Sequence, residues 1–151
     1  MNHDDREKAL KTINLLDKER LGAMVGVVGY LYIIKSAEIG INEERLKLMD
    51  VDVDIERINI IQEKTASLGE YFLLLGNSIL FSAAEQELNL EREYHDPDST
   101  IKSLNPQFNI TFGYYLNVIS DLIKFIGTQQ RVQEAGTEVT VHLYYIGFSK
   151  K

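Results

Sequence analysis

The chain has 151 residues, no cysteine, 44% hydrophobic and 26% charged residues, and a formal net charge of −7. Its length and composition are those of one globular domain, and the absence of cysteine excludes disulfide scaffolds, thiol nucleophiles, iron–sulfur clusters and thiolate zinc sites. The negative charge, with lysine and arginine scattered among acidic residues, argues against nucleic acid as the main partner.

The first predicted element is a long helix over residues 3–38, which ends near Gly40. Gly40 suits the left-handed position that commonly follows the last turn of a helix. A shorter helical piece fits over residues 42–49. No proline occurs before residue 97, so nothing of that kind interrupts the helices in this part of the chain.

The second predicted helix covers residues 54–93, with Asp52 or Asp54 as its N-cap. A set of its residues alternates in steps of three and four, which is the spacing of a coiled-coil seam. The seam consists of Ile58, Ile61, Thr65, Leu68, Phe72, Leu75, Ile79 and Ser82. It is either a dimerisation zipper or the inner stripe of an antiparallel bundle. Because it admits Thr65 and Ser82, we favour the inner stripe.

A turn or loop is predicted for residues 94–100, which contain Pro97 between polar side chains. The third predicted helix follows over residues 106–134. Asn105 is a suitable N-cap for it, and Pro106 suits the first helical position. This helix is expected to end before Gly136.

The C-terminal tail has a different composition. Residues 138–146 are rich in β-branched and aromatic side chains, and the first half alternates, so the pattern predicts a β-strand. A single strand is not stable alone, because its backbone groups need a partner. Either it pairs with residues 51–55, which read as a strand or as a helix start, or it adds to a second molecule.

Glycines recur inside the predicted helices, where each costs about 1 kcal/mol relative to alanine. Their presence indicates that helix backbones approach closely there. The glycine spacing also forms a faint internal repeat, because that of Gly22 and Gly29 returns as Gly69 and Gly76, and chance similarity between buried helices is the favoured explanation of this repeat. The candidate interface residues are therefore Gly22, Gly26, Gly29, Gly69 and Gly76 in the helices, and Val139, Val141, Leu143 and Tyr145 in the tail.

Two uncharged segments, residues 21–34 and 71–84, raise the question of a membrane. Fourteen helical residues span about 21 Å, which is short of a hydrocarbon core of about 30 Å. The apolar stretch of the third predicted helix contains Asp121 and Lys124, whose charged side chains are costly in lipid. We therefore favour buried core helices, with membrane association as the alternative. The polar N-terminus lacks the pattern of a secretory signal, so a cytoplasmic location is expected.

No catalytic motif stands in the sequence: it has no nucleophile elbow, phosphate-binding loop or dinucleotide fingerprint. The three histidines are far apart in the chain, and no metal site or cofactor is predicted. Ionisable residues and tyrosines beside apolar stretches are the candidates for a ligand pocket, because burial shifts pKa values. They are Tyr30, Glu70, Tyr114, Asp121 and Lys124.

The sequence thus predicts a mainly α protein, a bundle of three long helices with a possible short fourth one and a short C-terminal β-strand. Residues 1–136 form the helical domain, and residues 137–151 form a tail that belongs to it or contacts another copy. The leading functional hypothesis is a non-enzymatic structural or interaction protein that forms a homo-oligomer by helix packing and strand pairing. The alternatives are a helical bundle that binds a small molecule and a membrane-associated helical protein.

Overall fold

The computed structural model describes the backbone of residues 3–94 and 104–148 and the side chains of residues 5–94 and 104–136. Three helices occupy these residues: α1 (His3–Leu48), α2 (Ile55–Glu93) and α3 (Asn105–Phe148). The prediction of a mainly helical protein with three long helices that pack against one another is confirmed.

Helix α1 runs through Gly40 without a break, so the predicted end there and the separate helix over residues 42–49 are wrong. None of the described glycines has a positive φ, and Gly40 therefore does not terminate the helix. Asp50 takes that role with φ 51°. The Asp50 amide donates to the Lys47 carbonyl at 3.2 Å and the Val51 amide to the Leu46 carbonyl at 3.3 Å, which is the Schellman pattern.

Helix α2 begins at Ile55, close to the predicted start. Asp54 caps it, because its Oδ1 accepts a hydrogen bond from the Arg57 amide at 2.9 Å. Residues 51–54 have no regular secondary structure, and residue 55 is already helical. The strand reading of residues 51–55 is therefore wrong.

Helix α3 begins at Asn105, one residue before the predicted start, and continues past Gly136 to Phe148. The predicted C-terminal strand over residues 138–146 is wrong, because this segment is helical. Extending an existing helix adds one hydrogen bond for each residue that is fixed, whereas an isolated strand leaves its backbone groups unpaired. The β-branched residues here oppose a helix by less than about 0.7 kcal/mol each, which does not overcome that difference.

The chain divides into two compact units, and each helix contributes to both. Unit 1 comprises Met1–Val27 and Leu73–Asp121. In it, α1 and α2 run antiparallel: Lys18 Nζ donates to Gln86 Oε1 at 2.5 Å, and Gly22 lies beside Gly76 and Leu80. Helix α3 lies antiparallel to α2 on a separate set of contacts, in which Asn77 bonds to Asp121 and Ala84 to Thr111.

Unit 2 comprises Val28–Phe72 and Leu122–Lys151. Ser36 Oγ donates to the Gln62 carbonyl at 3.0 Å, and Gly69 lies against Gly29 and Ile33, which again makes α1 and α2 antiparallel. Aromatic rings complete the packing of α2. Tyr32 of α1 stacks on Phe72 at 5.6 Å and 12°, and Phe125 of α3 lies 5.9 Å from Tyr71.

The buried line of α1 repeats every seven residues, which is coiled-coil spacing. It consists of Leu15, Gly22, Gly29, Ser36 and Glu43, so its members are mostly small or polar. On α2, the residues of the predicted inner seam are not buried, and Ile61, Leu68 and Leu75 are exposed. The favoured interpretation of that seam as the inner stripe is therefore wrong.

Candidate interaction surfaces

The described side chains show an inverted distribution of polarity. Six apolar residues are buried, and three of these are alanines: Leu15, Leu73, Ala83, Ala84, Leu88 and Ala135. Seven polar or charged residues are buried: Ser36, Glu43, Glu63, Ser67, Gln107, Thr111 and Asp121. Many more large apolar side chains are exposed than buried. Contiguous exposed apolar patches of this kind mark surfaces that meet another molecule or a membrane.

The first such surface is the α3 apolar face, which lies in unit 1 and consists of Phe108, Phe112, Tyr115, Leu116 and Ile119. Its rings are 53%, 50% and 45% exposed at Phe108, Phe112 and Tyr115. They stack along the helix, with centroids 6.4 Å apart for Phe108 and Phe112 and 6.3 Å apart for Phe112 and Tyr115. The ring of Phe81 on α2 packs against the ring of Tyr115, with centroids 5.8 Å apart. The rings of the face therefore contact one another and also α2.

The second surface is the outer side of α1. Leu21, Met24 and Val27 are exposed in unit 1, and Val28, Leu31 and Ile34 are exposed in unit 2. Within each unit they recur every three residues, so they lie on the side of α1 away from its buried glycine, which is Gly22 in unit 1 and Gly29 in unit 2. Charged residues bound this surface, with Asp17 and Arg20 paired at one end and Lys35 and Glu38 at the other.

Polar contacts join α2 to α3 in unit 2. Arg131 Nη2 reaches Glu63 Oε1 at 2.5 Å, and the Glu63 side chain is only 9% exposed. Gln129 Nε2 donates to Ser67 Oγ at 2.6 Å, and Lys124 Nζ lies 3.6 Å from Glu70 Oε2. The second carboxylate oxygen of Glu63 is buried without a hydrogen-bond partner. Because a buried carboxylate is costly unless it is paired, these contacts fix α3 in one position on α2.

A similar polar group joins α2 to α3 in unit 1. Asn77 Nδ2 donates to Asp121 Oδ2 at 2.5 Å, and Asp121 is 4% exposed. Thr111 Oγ1 donates to the Ala84 carbonyl at 3.1 Å, and Gln107 Nε2 donates to Glu87 Oε2 at 2.9 Å. Burial raises the pKa of the Glu87 carboxyl, and its acidic neighbours Glu19 and Glu91 add to the rise, while the bond from Gln107 opposes it.

The predicted pocket residues are divided between the two units. In unit 2, Glu70 and Lys124 form an ion pair, while Tyr30 is 62% exposed on α1. In unit 1, Asp121 is bonded to Asn77, and Tyr114 is half-buried.

Grooves also occur on the described surface. A groove of about 260 Å³ lies in unit 2, open to solvent, and Glu70 and Lys124 do not line it. Its walls are Lys64, Ser67, Leu68, Tyr71, Phe125, Gln129 and Val132. Within the described part of the chain, no group of three or more histidine, aspartate or glutamate residues is placed to hold a metal ion.

The glycines among the predicted interface residues lie largely between helices of one chain. A Cβ on Gly22 would lie 2.9 Å from the Gly76 carbonyl oxygen, and one on Gly69 would lie 3.0 Å from the Gly29 oxygen. A Cβ on Gly26 would meet nothing within 4 Å. The close backbone approach that we expected is thus used between helices of one chain, and the exposed apolar surfaces described above consist of other residues.

The remaining predicted interface residues belong to the tail, and their side chains lie outside the described part. Val139, Val141, Leu143 and Tyr145 have a helical backbone as part of α3, so they do not form a strand edge. Sequence reasoning missed the α3 apolar face. The 4–3–4 spacing of Phe108, Phe112, Tyr115 and Ile119 was the signal that could have found it.

By length and composition, one segment of the described chain could cross a membrane. It is Asp5–Leu48 of α1, which reaches a mean hydropathy of 1.5 over an 18-residue window, and 11% of that window is buried. No protein-family model matches this chain, and no curated protein or solved structure matches it either.

Proposed function

We propose that this chain is a non-enzymatic structural or interaction protein that assembles with further copies of itself by covering the exposed apolar faces of its helices. The observation that carries the proposal is the inverted distribution of polarity. Burying apolar surface is the main favourable term in protein association, at roughly 25 cal/mol per Å². A chain that leaves this surface on its outside gains that free energy only when another molecule covers it.

Strand pairing is no longer part of the mechanism, because residues 138–146 are helical.

Light scattering behind a sizing column, in buffer without detergent, tests the proposal. We expect a discrete multiple of 17.3 kDa at micromolar concentrations. A single species of 17.3 kDa with full helical content would contradict it. Dilution of the assembled species should release monomer without loss of helix if the contacts between copies are separable from the fold.

A membrane-associated protein is the second candidate, and the apolar window of α1, which is only 11% buried, is the observation that favours it. Uncharged segments that cross a bilayer must lie at one depth. In unit 1 the helices meet this condition, because Lys18 lies beside Gln86 and the charged residues 17–20 are therefore level with Glu85 and Glu87, just beyond the uncharged segment of α2.

The register of the helices in unit 2 opposes the membrane candidate. The uncharged residues 28–34 of α1 lie opposite the part of α2 that contains Glu63, Lys64 and Glu70, since Gly29 lies beside Gly69 and Ser36 beside Gln62. Charged side chains at the centre of a bilayer cost at least about 2.5 kcal/mol each. Recovery of the expressed protein only in the membrane fraction, and its release by detergent but not by high salt, would favour the second candidate.

A further inference from the structure

We infer that the α3 apolar face pairs with the same face of a second copy, antiparallel and about a twofold axis between Phe112 and Tyr115. The inference rests on the proposed self-assembly and identifies the surface that carries it. Twofold dimers are the commonest homo-oligomers, and their interface is formed by one self-complementary patch on each copy. The spacing and charge of the α3 apolar face meet that requirement, and its area approaches it.

The sequence separations between the residues of the face are the same when the helix is read from either end. Phe108, Phe112, Tyr115 and Ile119 are separated by four, three and four residues. Two such helices that run in opposite directions therefore place Phe108 opposite the partner's Ile119, and Phe112 opposite the partner's Tyr115. This is the layer pattern of an antiparallel coiled coil, in which the two kinds of seam position face each other.

The charge of the face permits pairing with itself. Residues 105–120 contain no acidic or basic side chain, and Asp121, the next charged residue, is buried against Asn77. A chain of net charge −7 repels its own copies over most of its surface. The uncharged face is where two copies approach without placing like charges opposite each other.

The outer side of α1 does not offer this in the register that is centred on its uncharged segment. If two copies paired there, antiparallel about the middle of residues 21–34, Arg20 would lie opposite the partner's Lys35, and Asp17 opposite the partner's Glu38. All four side chains are more than half exposed. Like charges that face each other across an interface are destabilising. The α3 apolar face is therefore the better candidate for pairing.

The area of the face is close to what a specific contact needs. An aromatic side chain has about 150–250 Å² to bury, and the three rings of the face are about half exposed, so they offer roughly 300 Å² per copy. Leu116 and Ile119 raise this to roughly 450 Å², and two copies then bury roughly 900 Å² in all. The exposed Asn109, which lies next to Leu116 at the edge of the face, extends the contact toward the 1,000 Å² or so of a specific interface.

A lipid partner fits the same face less well. Asn109 is exposed at the edge of the face, and an amide that meets hydrocarbon without a partner is costly. At a rim between two protein copies, the same amide can bond to a polar group of the partner or to water. The polar residue next to the face therefore favours a second copy over lipid.

Because the chain has no cysteine, disulfide cross-linking tests this pairing directly. Phe108→Cys and Ile119→Cys are made as separate single variants and then co-expressed and oxidised. We expect a covalent dimer from the mixture and little or none from either variant alone, since only antiparallel pairing brings residue 108 to residue 119. Met24→Cys co-expressed with Leu31→Cys, on the exposed side of α1, is the matched control and should give no dimer.

The outcomes separate this inference from the proposed function. Cross-linking of Phe108→Cys with itself would mean a parallel contact and would overturn the antiparallel arrangement. No cross-link in a protein that light scattering finds assembled would overturn the α3 pairing and leave self-assembly intact. A monomeric wild type would overturn both. As a second variant, Phe112→Asp should convert the assembled species to one of lower mass with unchanged helical circular dichroism.

Discussion

Glycine occupies the positions where α1 and α2 approach closely in unit 1. The absence of a side chain there allows the two backbones to come into contact. A Cβ on Gly76 would lie 2.8 Å from both the Gly22 carbonyl oxygen and the Gly26 amide nitrogen. Both are backbone atoms, which cannot turn aside as a flexible side chain can. The helix-propensity cost of these glycines is therefore offset by contact between the helices.

Gly76→Ala should lower the free energy of unfolding. Overpacking costs about 1–3 kcal/mol, and the better helix propensity of alanine returns about 1 kcal/mol, so a net loss of about 1 kcal/mol is expected. Gly26→Ala is the matched control, since its Cβ would meet nothing within 4 Å, and it should be neutral or gain up to about 1 kcal/mol. Urea unfolding followed by circular dichroism measures both. Equal effects of the two substitutions would contradict the close contact.

Glu87 should make stability depend on pH. Burial, with Glu19 and Glu91 nearby, raises the pKa of its carboxyl in the folded state. The folded protein thus holds this proton more tightly than the unfolded chain, and stability from this group falls as pH rises from the ordinary glutamate range through the raised pKa. Glu87→Gln removes that loss and can still accept the Gln107 bond, so it should stabilise the protein at pH 7.5.

The gain from Glu87→Gln should shrink toward zero below about pH 4, where the carboxyl is protonated in both states. Unfolding free energies at pH 4, 5.5 and 7.5 measure this profile. Glu85→Gln, an exposed neutralising substitution on the same helix, is the control. A gain for Glu87→Gln that does not change with pH would mean that packing, and not charge, is responsible.

At the scale of helices, the order of the elements could be predicted from the sequence, but the buried side of each helix could not. The proline-free first part, the Asn105 and Pro106 start and the long apolar runs were enough to predict three long helices. Assigning the inside by apolar periodicity failed, because the helix contacts use Gly22, Gly69 and polar residues such as Asp121, and leave Leu68 exposed. Hydrophobic patterns reveal which faces avoid water, but not whether the chain itself or a partner covers them.

Helix ends were predicted only where their local chemistry decides them. The start of α2 was predicted because Asp54 caps it, and aspartate is one of the residues preferred at the N-cap. Gly40 and Gly136 are compatible with an end, but nothing requires one there, and the helices continue through them. The actual end of α1 lies at Asp50, which adopts the left-handed backbone conformation. Aspartate tolerates this conformation, but it is found there less often than glycine.

Asp50→Gly should therefore stabilise the α1 end. At φ 51° an aspartate bears a steric cost that glycine lacks, so a gain of about 1 kcal/mol is expected. Asp52→Gly is the control in the same linker, where no positive φ occurs, and it should be neutral or destabilising because it only adds freedom to the unfolded chain. Thermal unfolding at one fixed protein concentration compares them. A gain from both would point to linker flexibility instead.

At the scale of the whole molecule, charge and polarity act in opposite directions. The net charge of −7 keeps copies apart, while the exposed apolar faces draw them together. Most of the described ion pairs on the surface, such as Lys35 with Glu38, lie within single helices, and exposed pairs of this kind add little to stability. If assembly uses uncharged faces, its electrostatic contribution is repulsion alone.

Salt should accordingly strengthen assembly. Raising sodium chloride from 0.05 to 0.5 M shortens the screening length from above 10 Å to well below it, which weakens repulsion between copies of charge −7 and leaves the apolar contact intact. Sedimentation velocity across this range should show the dissociation constant falling severalfold. An interface built on ion pairs would respond in the opposite direction, because screening removes its attraction. Weaker association at high salt would therefore rule out uncharged faces as the main contact, whatever the number of copies.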